Sequence, residues 1–289
     1  MLVIKDKLYS KDKMAIKYIQ STVDDYLIET TYVDDHRKHI ICFSSQIGCS
    51  VGCQICYSGI CSKFYRNLTV QEMYDQIIYI IQDLKLKDKP LQFSCMGVGE
   101  PLLNYHNVIE TFNLLHHDFP NEKYVLATTG ILPNLILQLA SDLKVINNFK
   151  LTISLHAAND CIRKKILPNS TPIDELVRIG KEYEKISNHP LEWNYVLLNN
   201  INDSEKDALE LLNILGKNEY VKLNQYNPVE VSSFVGSSEE NIKKFIAILG
   251  ENIKHEYYQT KGVDILGACG QMVCKKNILT LESKEKLQS

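Results

Sequence analysis

The sequence predicts an α/β fold, in the form of a partial (β/α)6 barrel, from three observations. Short apolar runs alternate with longer amphipathic stretches after residue 90, which is typical of repeated βαβ units and a mainly parallel sheet. About six such units follow a cluster of cysteines, fewer than the eight of a closed barrel. The 289 residues are 45% hydrophobic and 23% charged, a composition that excludes a disordered chain.

Strands and helices are predicted in alternation along the chain. The predicted strands are Leu91–Met96, Lys123–Thr128, Phe149–Leu155, Leu191–Leu198, Val221–Gln225 and Ile253–Tyr258. The predicted helices are Val108–Leu115, Pro133–Leu143, Ile173–Ile186, Asp203–Leu215 with Asp203 as its cap, and Ser237–Leu249. We divide the chain into a polar N-terminal lead-in that packs on the barrel (1–34), a core domain (35–275) and a C-terminal tail (276–289).

Charge and hydropathy exclude several classes of protein. The longest apolar runs are far shorter than the roughly 20 residues of a membrane span, and the N-terminus lacks the apolar core of a signal peptide. We therefore expect a cytoplasmic protein with no membrane partner. The net charge of −3 does not indicate a strongly basic nucleic-acid binder, so RNA contact would need a local patch, for which Arg163, Lys164 and Lys165 are candidates.

A cluster of cysteines indicates metal or redox chemistry. In a reducing compartment, cysteines this close in sequence are more often ligands than disulfides. Cys49, Cys53 and Cys56 form a C-x3-C-x2-C pattern, and three thiolates leave one iron of a [4Fe-4S] cluster open to a ligand. The alternative is structural zinc, with Cys61 as the fourth ligand. Three further cysteines are interpreted as packing residues: Cys95, Cys161 and Cys274.

Polar groups also follow the predicted strands, at the edge where α/β folds place their sites. They are the turn Gly97–Pro101, the segment 128–130, His156 and Asn227. The cysteine pattern together with the Gly-Val-Gly-Glu-Pro turn resembles the signature of the radical S-adenosylmethionine (SAM) enzymes, in which a "GGEP" motif holds the amino group of SAM. The resemblance implies a [4Fe-4S] cluster, SAM and the TIM-like partial barrel of that superfamily.

A closer resemblance is to the RlmN/Cfr methyltransferases, which modify C2 or C8 of an adenine in ribosomal RNA. The segment 42–49 is similar to their "CxSSQxGC" motif, and 28–32 is similar to their "IETVYI" motif. Further pieces occur in the same order, at 66–69, 96–104, 154–157, 198–204, 227–228 and 268–271. The match runs from about residue 26 to residue 272, which is most of the chain.

The resemblance implies a role for each matching residue. Cys49, Cys53 and Cys56 would hold the cluster. Six residues would contact SAM: Gly99, Glu100, Ser154, Leu155, His156 and Asn227. Cys269 would carry the methyl group, Cys42 would be the resolving cysteine, and Glu29 would accept a proton. A flavodoxin-type or other electron donor would reduce the cluster.

The chemistry explains why two cysteines outside the cluster are needed. An adenine C2 or C8 carbon is a poor nucleophile toward a sulfonium, whereas a thiolate takes a methyl group readily. A 5′-deoxyadenosyl radical then removes hydrogen from the S-methyl group of Cys269, and the carbon radical adds to the base. A disulfide between Cys42 and Cys269 releases the product. Taken alone, each cysteine has the alternative of being a small buried hydrophobe.

The sequence departs from the family pattern in two places. Only about 25 residues precede the motif at 28–32, so we expect the N-terminal accessory domain that helps relatives grip RNA to be missing. Ala127 replaces a serine that binds the cofactor in the family. These departures keep a second substrate class open: the same chemistry on a peptide, a small molecule or another RNA. A non-catalytic zinc or iron–sulfur module is the third alternative.

Overall fold

The computed structural model describes residues 2–272. Its strands are β1 (Val3–Tyr9), β2 (Ala15–Ser21), β3 (Leu27–Asp34), β4 (His39–Phe43), β5 (Gln46–Ile47), β6 (Arg66–Asn67), β7 (Leu91–Cys95), β8 (Lys123–Thr128), β9 (Phe149–Ser154), β10 (Leu191–Leu197), β11 (Tyr220–Gln225) and β12 (Lys254–Tyr258). Its α-helices are α1 (Tyr57–Cys61), α2 (Val70–Asp83), α3 (Tyr105–Asp118), α4 (Pro133–Asp142), α5 (Asp160–Ile166), α6 (Ile173–Ser187), α7 (Glu205–Leu215) and α8 (Glu239–Leu249). Short 3-10 helices cover Pro101–Asn104 and Val263–Ile265.

Ten strands form one sheet in the order β1-β2-β3-β4-β7-β8-β9-β10-β11-β12. From β4 to β12 every neighbouring pair is parallel, and at least one helix lies in each connection. The predicted partial barrel of parallel strands is therefore confirmed. It is built from apolar strand and helix faces that pack into one core, with Phe93, Phe112 and Phe149 fully buried.

The segment before residue 35 forms more structure than the predicted lead-in. The strands β1, β2 and β3 pair antiparallel with one another, and β3 pairs antiparallel with β4, so they extend the barrel sheet itself. Every residue of β2 is buried, although Lys17 interrupts its apolar pattern. The lysines and aspartates of this segment conceal a strand signal in the sequence.

Most predicted elements agree with the structure, and the differences are local. Ser204, not Asp203, caps α7: its side chain accepts from the Asp207 N–H, and the Asp207 side chain accepts from the Ser204 N–H. Asp203 instead accepts from the backbone N–H of Asn200. The last predicted helix begins at Glu239 rather than Ser237. The tail at 276–289 and Cys274 lie outside the described residues.

The segment 262–272 returns from β12 across the barrel and reaches the antiparallel strands. Thr31 on β3 donates its hydroxyl to the Gly267 carbonyl at 3.0 Å, and Lys17 on β2 reaches the Leu266 carbonyl at 3.3 Å. We call residues 262–272 the crossing loop. Within the described part of the chain, no helix has the length and apolar character that a membrane crossing requires.

Candidate active site

A cavity of about 250 Å³ occupies the barrel interior. It reaches from the cysteine loop, at the carboxyl ends of the strands, to side chains on the inner faces of β7, β10 and β11. Nine of the sequence-predicted residues line it: Cys42, Cys53, Cys56, Gly99, Glu100, Ser154, His156, Asn227 and Cys269. The fold thus brings together residues that lie more than 200 positions apart in sequence.

The cysteine loop encloses a smaller pocket of about 80 Å³ beside this cavity. Cys49, Cys53 and Cys56 all line the pocket, opposite Gly99 and Glu100 of the predicted cofactor turn. The three thiols and the turn therefore border the same space, as a cluster with an open position facing SAM requires.

Burial raises the pKa of all three thiols, to about 12 for Cys49. Such thiols need the positive charge of bound iron to remain thiolates. Within residues 2–272, no group of three or more His, Cys, Asp or Glu side chains is arranged to hold a single metal ion. Cys61 does not line the pocket and packs instead against Tyr57 and Val229. The arrangement fits a multi-iron cluster better than a four-ligand zinc site.

Glycine is required in the turn at 97–101 because the backbone passes close to the 43–46 segment. Gly99 has φ +111°, and a Cβ there would lie 2.7 Å from Ser45 Oγ and from Gln46 Cβ. A Cβ at Gly97 would lie 2.7 Å from the Phe43 backbone. Any side chain would push the turn away from the cysteine loop.

The carboxylate of Glu100 fixes this turn to the end of β8. Its Oε1 accepts from Thr128 Oγ1 at 2.5 Å and from the Leu102 N–H at 3.1 Å. Its Oε2 accepts from the N–H and the hydroxyl of Thr129, both at 2.9 Å. Burial raises the pKa of Glu100, and these hydrogen bonds oppose the shift. With about four lone-pair positions used, the side chain chiefly orients the turn.

His156 lies at the end of β9 with φ +58° and is buried. The Val196 N–H donates to its Nδ1 at 3.2 Å, so the ring carries its proton on Nε2. Burial and the nearby Arg163 charge lower the pKa of His156 to about 3, which keeps the ring neutral. Ser154 also lines the cavity. The side chain of Leu155 is fully buried and does not line it.

Arg163 does not contribute to a surface basic patch, so only Lys164 and Lys165 of that candidate patch are exposed. The Arg163 side chain is fully buried on α5. The guanidinium donates to four backbone carbonyls at distances from 2.5 to 3.0 Å, those of Thr129, Ser154, Leu155 and Thr171. Helical spacing gave no sign of this role, which depends on two strand ends meeting beside α5. Cys161, predicted to be a packing residue, is exposed.

The crossing loop holds Cys269 at the cavity. Asn227 Nδ2 donates to the Cys269 carbonyl at 3.1 Å, and the Tyr57 N–H donates to the Gly270 carbonyl at 2.7 Å. The loop is thus tied both to the end of β11 and to the helix after the cluster cysteines. Cys269 is accessible to solvent from the cavity, whose walls nevertheless raise the pKa of its thiol.

Cys42 on β4 faces Cys269 within the same cavity. Burial is the main cause that raises the pKa of Cys42, to about 12, and the neighbouring Cys269 adds to it. The charge of Lys222 opposes the shift at both thiols. The structure therefore brings together the two cysteines that the sequence assigned to the reaction.

Glu29, the predicted proton acceptor, does not line this cavity. It is buried on β3, with Oε1 3.4 Å from Lys17 Nζ, and it lines a small separate pocket beside Gln46. Lys17 Nζ also donates to the backbone carbonyl of Leu266, so the crossing loop lies beside the Lys17–Glu29 pair.

Sequence reasoning missed the polar lining of the barrel interior. The residues concerned are Gln92, Ser94, Thr152, Glu192, Asn194, Lys222 and Asn224. Their signal was present, because they alternate with buried apolar residues along strands that are otherwise fully covered.

Comparisons with known proteins agree with this geometry. The family model described as the Radical SAM superfamily matches residues 43–212. A protein named "Probable dual-specificity RNA methyltransferase RlmN", from Alkaliphilus metalliredigens, is 33% identical over 98% of this chain and 80% of its own length. One with the same name from Fervidobacterium nodosum is 34% identical, over 92% of this chain and 78% of its own length.

A solved structure is similar over nearly the whole chain. The radical SAM methyltransferase from Sphaerobacter thermophilus has a TM-score of 0.87 at 32% identity, over 93% of this chain and 80% of its own. Membership implies that the enzyme uses a [4Fe-4S] cluster and SAM, which the cysteine pocket and its neighbouring turn fit. The chain therefore belongs to the RlmN family of methyltransferases within the Radical SAM superfamily.

Proposed function

We propose that this enzyme methylates an sp2 carbon, C2 or C8, of an RNA adenine through a methyl-cysteine intermediate. The observation that carries the proposal is the pair Cys42 and Cys269, two cysteines outside the cluster loop that share one cavity with the cofactor residues. The names of the relatives support RNA as the substrate. The need for reduced thiols supports a cytoplasmic location. Reductive cleavage of SAM consumes one electron, which a flavodoxin-type or other electron donor would supply to the cluster.

The cluster and cofactor have clear positions in this proposal. Cys49, Cys53 and Cys56 hold the cluster. When bound, the cluster and SAM supply the methyl group and the radical that activates it. Gly99 and the other turn residues approach the cofactor closely with their backbone, because the Glu100 side chain is already engaged with Thr128 and Thr129.

The remaining residues assigned to the cofactor orient it and do not exchange protons with it. His156 is neutral, and its Nε2–H is a hydrogen-bond donor available from the cavity side. Ser154 and Asn227 present short polar side chains from neighbouring strand ends. Asn227 also positions Cys269 through the bond to its carbonyl, and so couples the cofactor site to the methyl-carrying cysteine.

The two cysteines divide the reaction between them. Cys269 carries the methyl group and then the covalent adduct with the substrate. The adduct loses one electron to a one-electron acceptor, a role that the cluster would fill, and loses the proton of the attacked ring carbon. The Cys42 thiolate then attacks the sulfur of Cys269: the S–S bond forms, the bond from that sulfur to the transferred carbon breaks with its electron pair left on the carbon, and a proton completes the methyl group of the product. We assign proton acceptance to Glu29 from its motif, and Lys17 together with the crossing loop sets the position of its carboxylate.

Mass spectrometry tests the proposal at both of its steps. Peptide mapping of the protein isolated with its cluster should find a methyl group on Cys269, and Cys269→Ser should abolish it. Nucleosides from the RNA of expressing cells should contain 2-methyladenosine or 8-methyladenosine, absent with Cys269→Ser. A methylated Cys269 together with unmodified RNA would indicate that the substrate is a peptide or a small molecule and not RNA. An unmethylated Cys269 in an active preparation would refute the methyl-cysteine route.

A further inference from the structure

Lysines from four strand starts converge at the amino end of the barrel. Lys38 precedes β4, Lys123 begins β8, Lys150 is the second residue of β9, and Lys222 is the third of β11. We call these four residues the lysine mouth. They belong to separate segments of the chain, and only the parallel sheet brings them to one edge.

Contacts connect these lysines to the wall of the cavity. Lys38 Nζ donates to Gln92 Oε1 at 2.7 Å, and Lys150 Nζ donates to Glu192 Oε2 at 2.6 Å. Both acceptor residues line the cavity. Lys222 lines it directly, with its ammonium 4.3 Å from the centre of the Tyr258 ring.

The ammonium groups also lie close to one another. Burial, with the charges of Lys123, Lys150 and Lys222, lowers the pKa of Lys38, while Asp35 opposes the shift. The charges of the other three lysines therefore act on Lys38, in agreement with their placement at one edge of the sheet.

Carboxylates at this end neutralise only part of that charge. Glu192 pairs with Lys150, and Glu256 lies 3.7 Å from Lys222. In the part of the chain described, 2–272, Lys38 and Lys123 have no carboxylate within 4.0 Å.

Two further carboxylates at the same end make contacts outside the cavity. Glu122 accepts from the Leu91 N–H, and Glu219 accepts from Trp193 Nε1. Neither glutamate lines the cavity. Lys38 and Lys123 are thus the two ammonium groups of the lysine mouth that no carboxylate pairs within the described residues 2–272, and the net charge of −3 of the whole chain does not exclude a local anion site there.

The opposite end of the barrel is already filled. The cysteine loop, the turn at 97–101 and the crossing loop cover the carboxyl ends of the strands. The cavity that holds Cys269 and Cys42 continues from these loops to Gln92, Glu192 and Lys222 near the lysine mouth, which favours approach of the substrate through the amino end.

We propose that the lysine mouth binds phosphodiester groups beside the target adenine, so that the base enters the barrel from its amino end. The inference rests on the proposed function, since it takes RNA as the substrate, and it adds where the RNA backbone lies. Lysine ammonium groups recognise phosphate as point charges, without reading the base. Sequence selection is then left to the polar residues deeper in the cavity.

Binding of a short fluorescein-labelled single-stranded RNA, measured by anisotropy over a range of salt concentrations, tests the proposal. The test variant is the double substitution Lys38→Ala, Lys123→Ala, because neither lysine leaves a carboxylate unpaired. We expect about tenfold weaker binding at low salt, and a slope of log K against log salt that is smaller by about 1.4, or 0.7 per lost phosphate contact. Lys38→Arg, Lys123→Arg should retain both the affinity and the slope.

The matched control is Lys206→Ala, Lys243→Ala on α7 and α8. Those lysines are 83% and 79% exposed, and each is next to a glutamate on its own helix. The control should bind as the wild type does. An unchanged salt-dependence slope in the Lys38→Ala, Lys123→Ala variant would contradict phosphate binding by the lysine mouth. An equal loss of RNA affinity in the control variant would contradict it too. Absence of RNA binding by the wild type would instead contradict RNA as the substrate in the proposed function. SAM cleavage without substrate, measured for each variant, confirms that the variant is folded.

Discussion

The two ends of the barrel are built in different ways. At the carboxyl end, functional groups lie on loops that hydrogen bonds fix in place, as Glu100 shows with four donors and Arg163 with four carbonyl acceptors. At the amino end, charged side chains project from the strands themselves and make few such bonds. If our two proposals hold, the difference separates a rigid cofactor site from an adaptable substrate site.

The consequence is a difference in tolerance to substitution. A reaction that generates a radical needs a fixed cofactor, because small displacements of reacting groups cost large factors in rate. Phosphate groups are held by charge, which acts over several ångströms and tolerates movement. Changes at the carboxyl end should therefore abolish chemistry, whereas changes at the amino end should weaken binding by moderate factors.

The largest effect is expected from the cluster cysteines. Alanine at Cys49, Cys53 or Cys56 should abolish both the brown iron–sulfur absorbance after anaerobic reconstitution and the cleavage of SAM. Cys61→Ala is the matched control and should retain both, since Cys61 packs away from the pocket. Loss of the cluster in the Cys61 variant would indicate four-cysteine ligation and contradict the open iron.

A large effect of another kind is expected from Arg163→Met. The substitution removes the donors of four carbonyls, two of them in buried hydrogen bonds, and a buried carbonyl left unsatisfied costs about 1–3 kcal/mol. We expect a marked loss of free energy of unfolding in urea and at least a tenfold rise in the KM for SAM. Arg178→Met on α6, an exposed arginine paired with Glu182, should change stability by less than about 0.5 kcal/mol. Unchanged SAM binding by a folded Arg163→Met variant would contradict the role of Arg163 in positioning the cofactor site.

A smaller and more local effect is expected from Gly99→Ala. Alanine costs roughly 1–3 kcal/mol in backbone strain at either of two glycines with positive φ, Gly99 at +111° and Gly216 at +79°. Only Gly99 adds a steric conflict, because a Cβ at Gly216 meets nothing within 4 Å. We expect Gly216→Ala to lower stability while SAM cleavage stays normal, and Gly99→Ala to reduce SAM cleavage by more than tenfold. Equal cleavage rates in both variants would show that the close approach does not matter.

The same contrast explains what the sequence predicts and what it does not. The cysteine loop and the turn at the carboxyl end are predictable from sequence. Each is a short local pattern, Cys49 to Cys56 and Gly97 to Pro101, in which the residue types and their spacing indicate the chemistry. The parallel strands are predictable from apolar runs and turns. Lys38, Lys150 and Lys222 become neighbours only through strand register, which no local pattern specifies.

Buried polar residues were the other source of error. Arg163 was interpreted as a surface charge, since arginine is rarely fully buried and its acceptors lie on distant strand ends. Asp203 and Ser204 are both good caps, and only the partner at Asp207 decides between them. In each case the decisive contact is one that the sequence does not show.

The central claim is that Cys42 and Cys269 act in succession on one substrate, and Cys42→Ala tests it most directly. Without Cys42, the methyl group still reaches Cys269 and the adduct still forms, but no thiol attacks the Cys269 sulfur to release it. Intact-protein mass spectrometry of Cys42→Ala purified from cells should therefore find the chain covalently joined to its substrate, as nucleotide mass at Cys269. Cys95→Ala, a buried cysteine that also lines the cavity, is the matched control and should carry no adduct. A Cys42→Ala protein that turns over normally and carries no adduct would contradict the account.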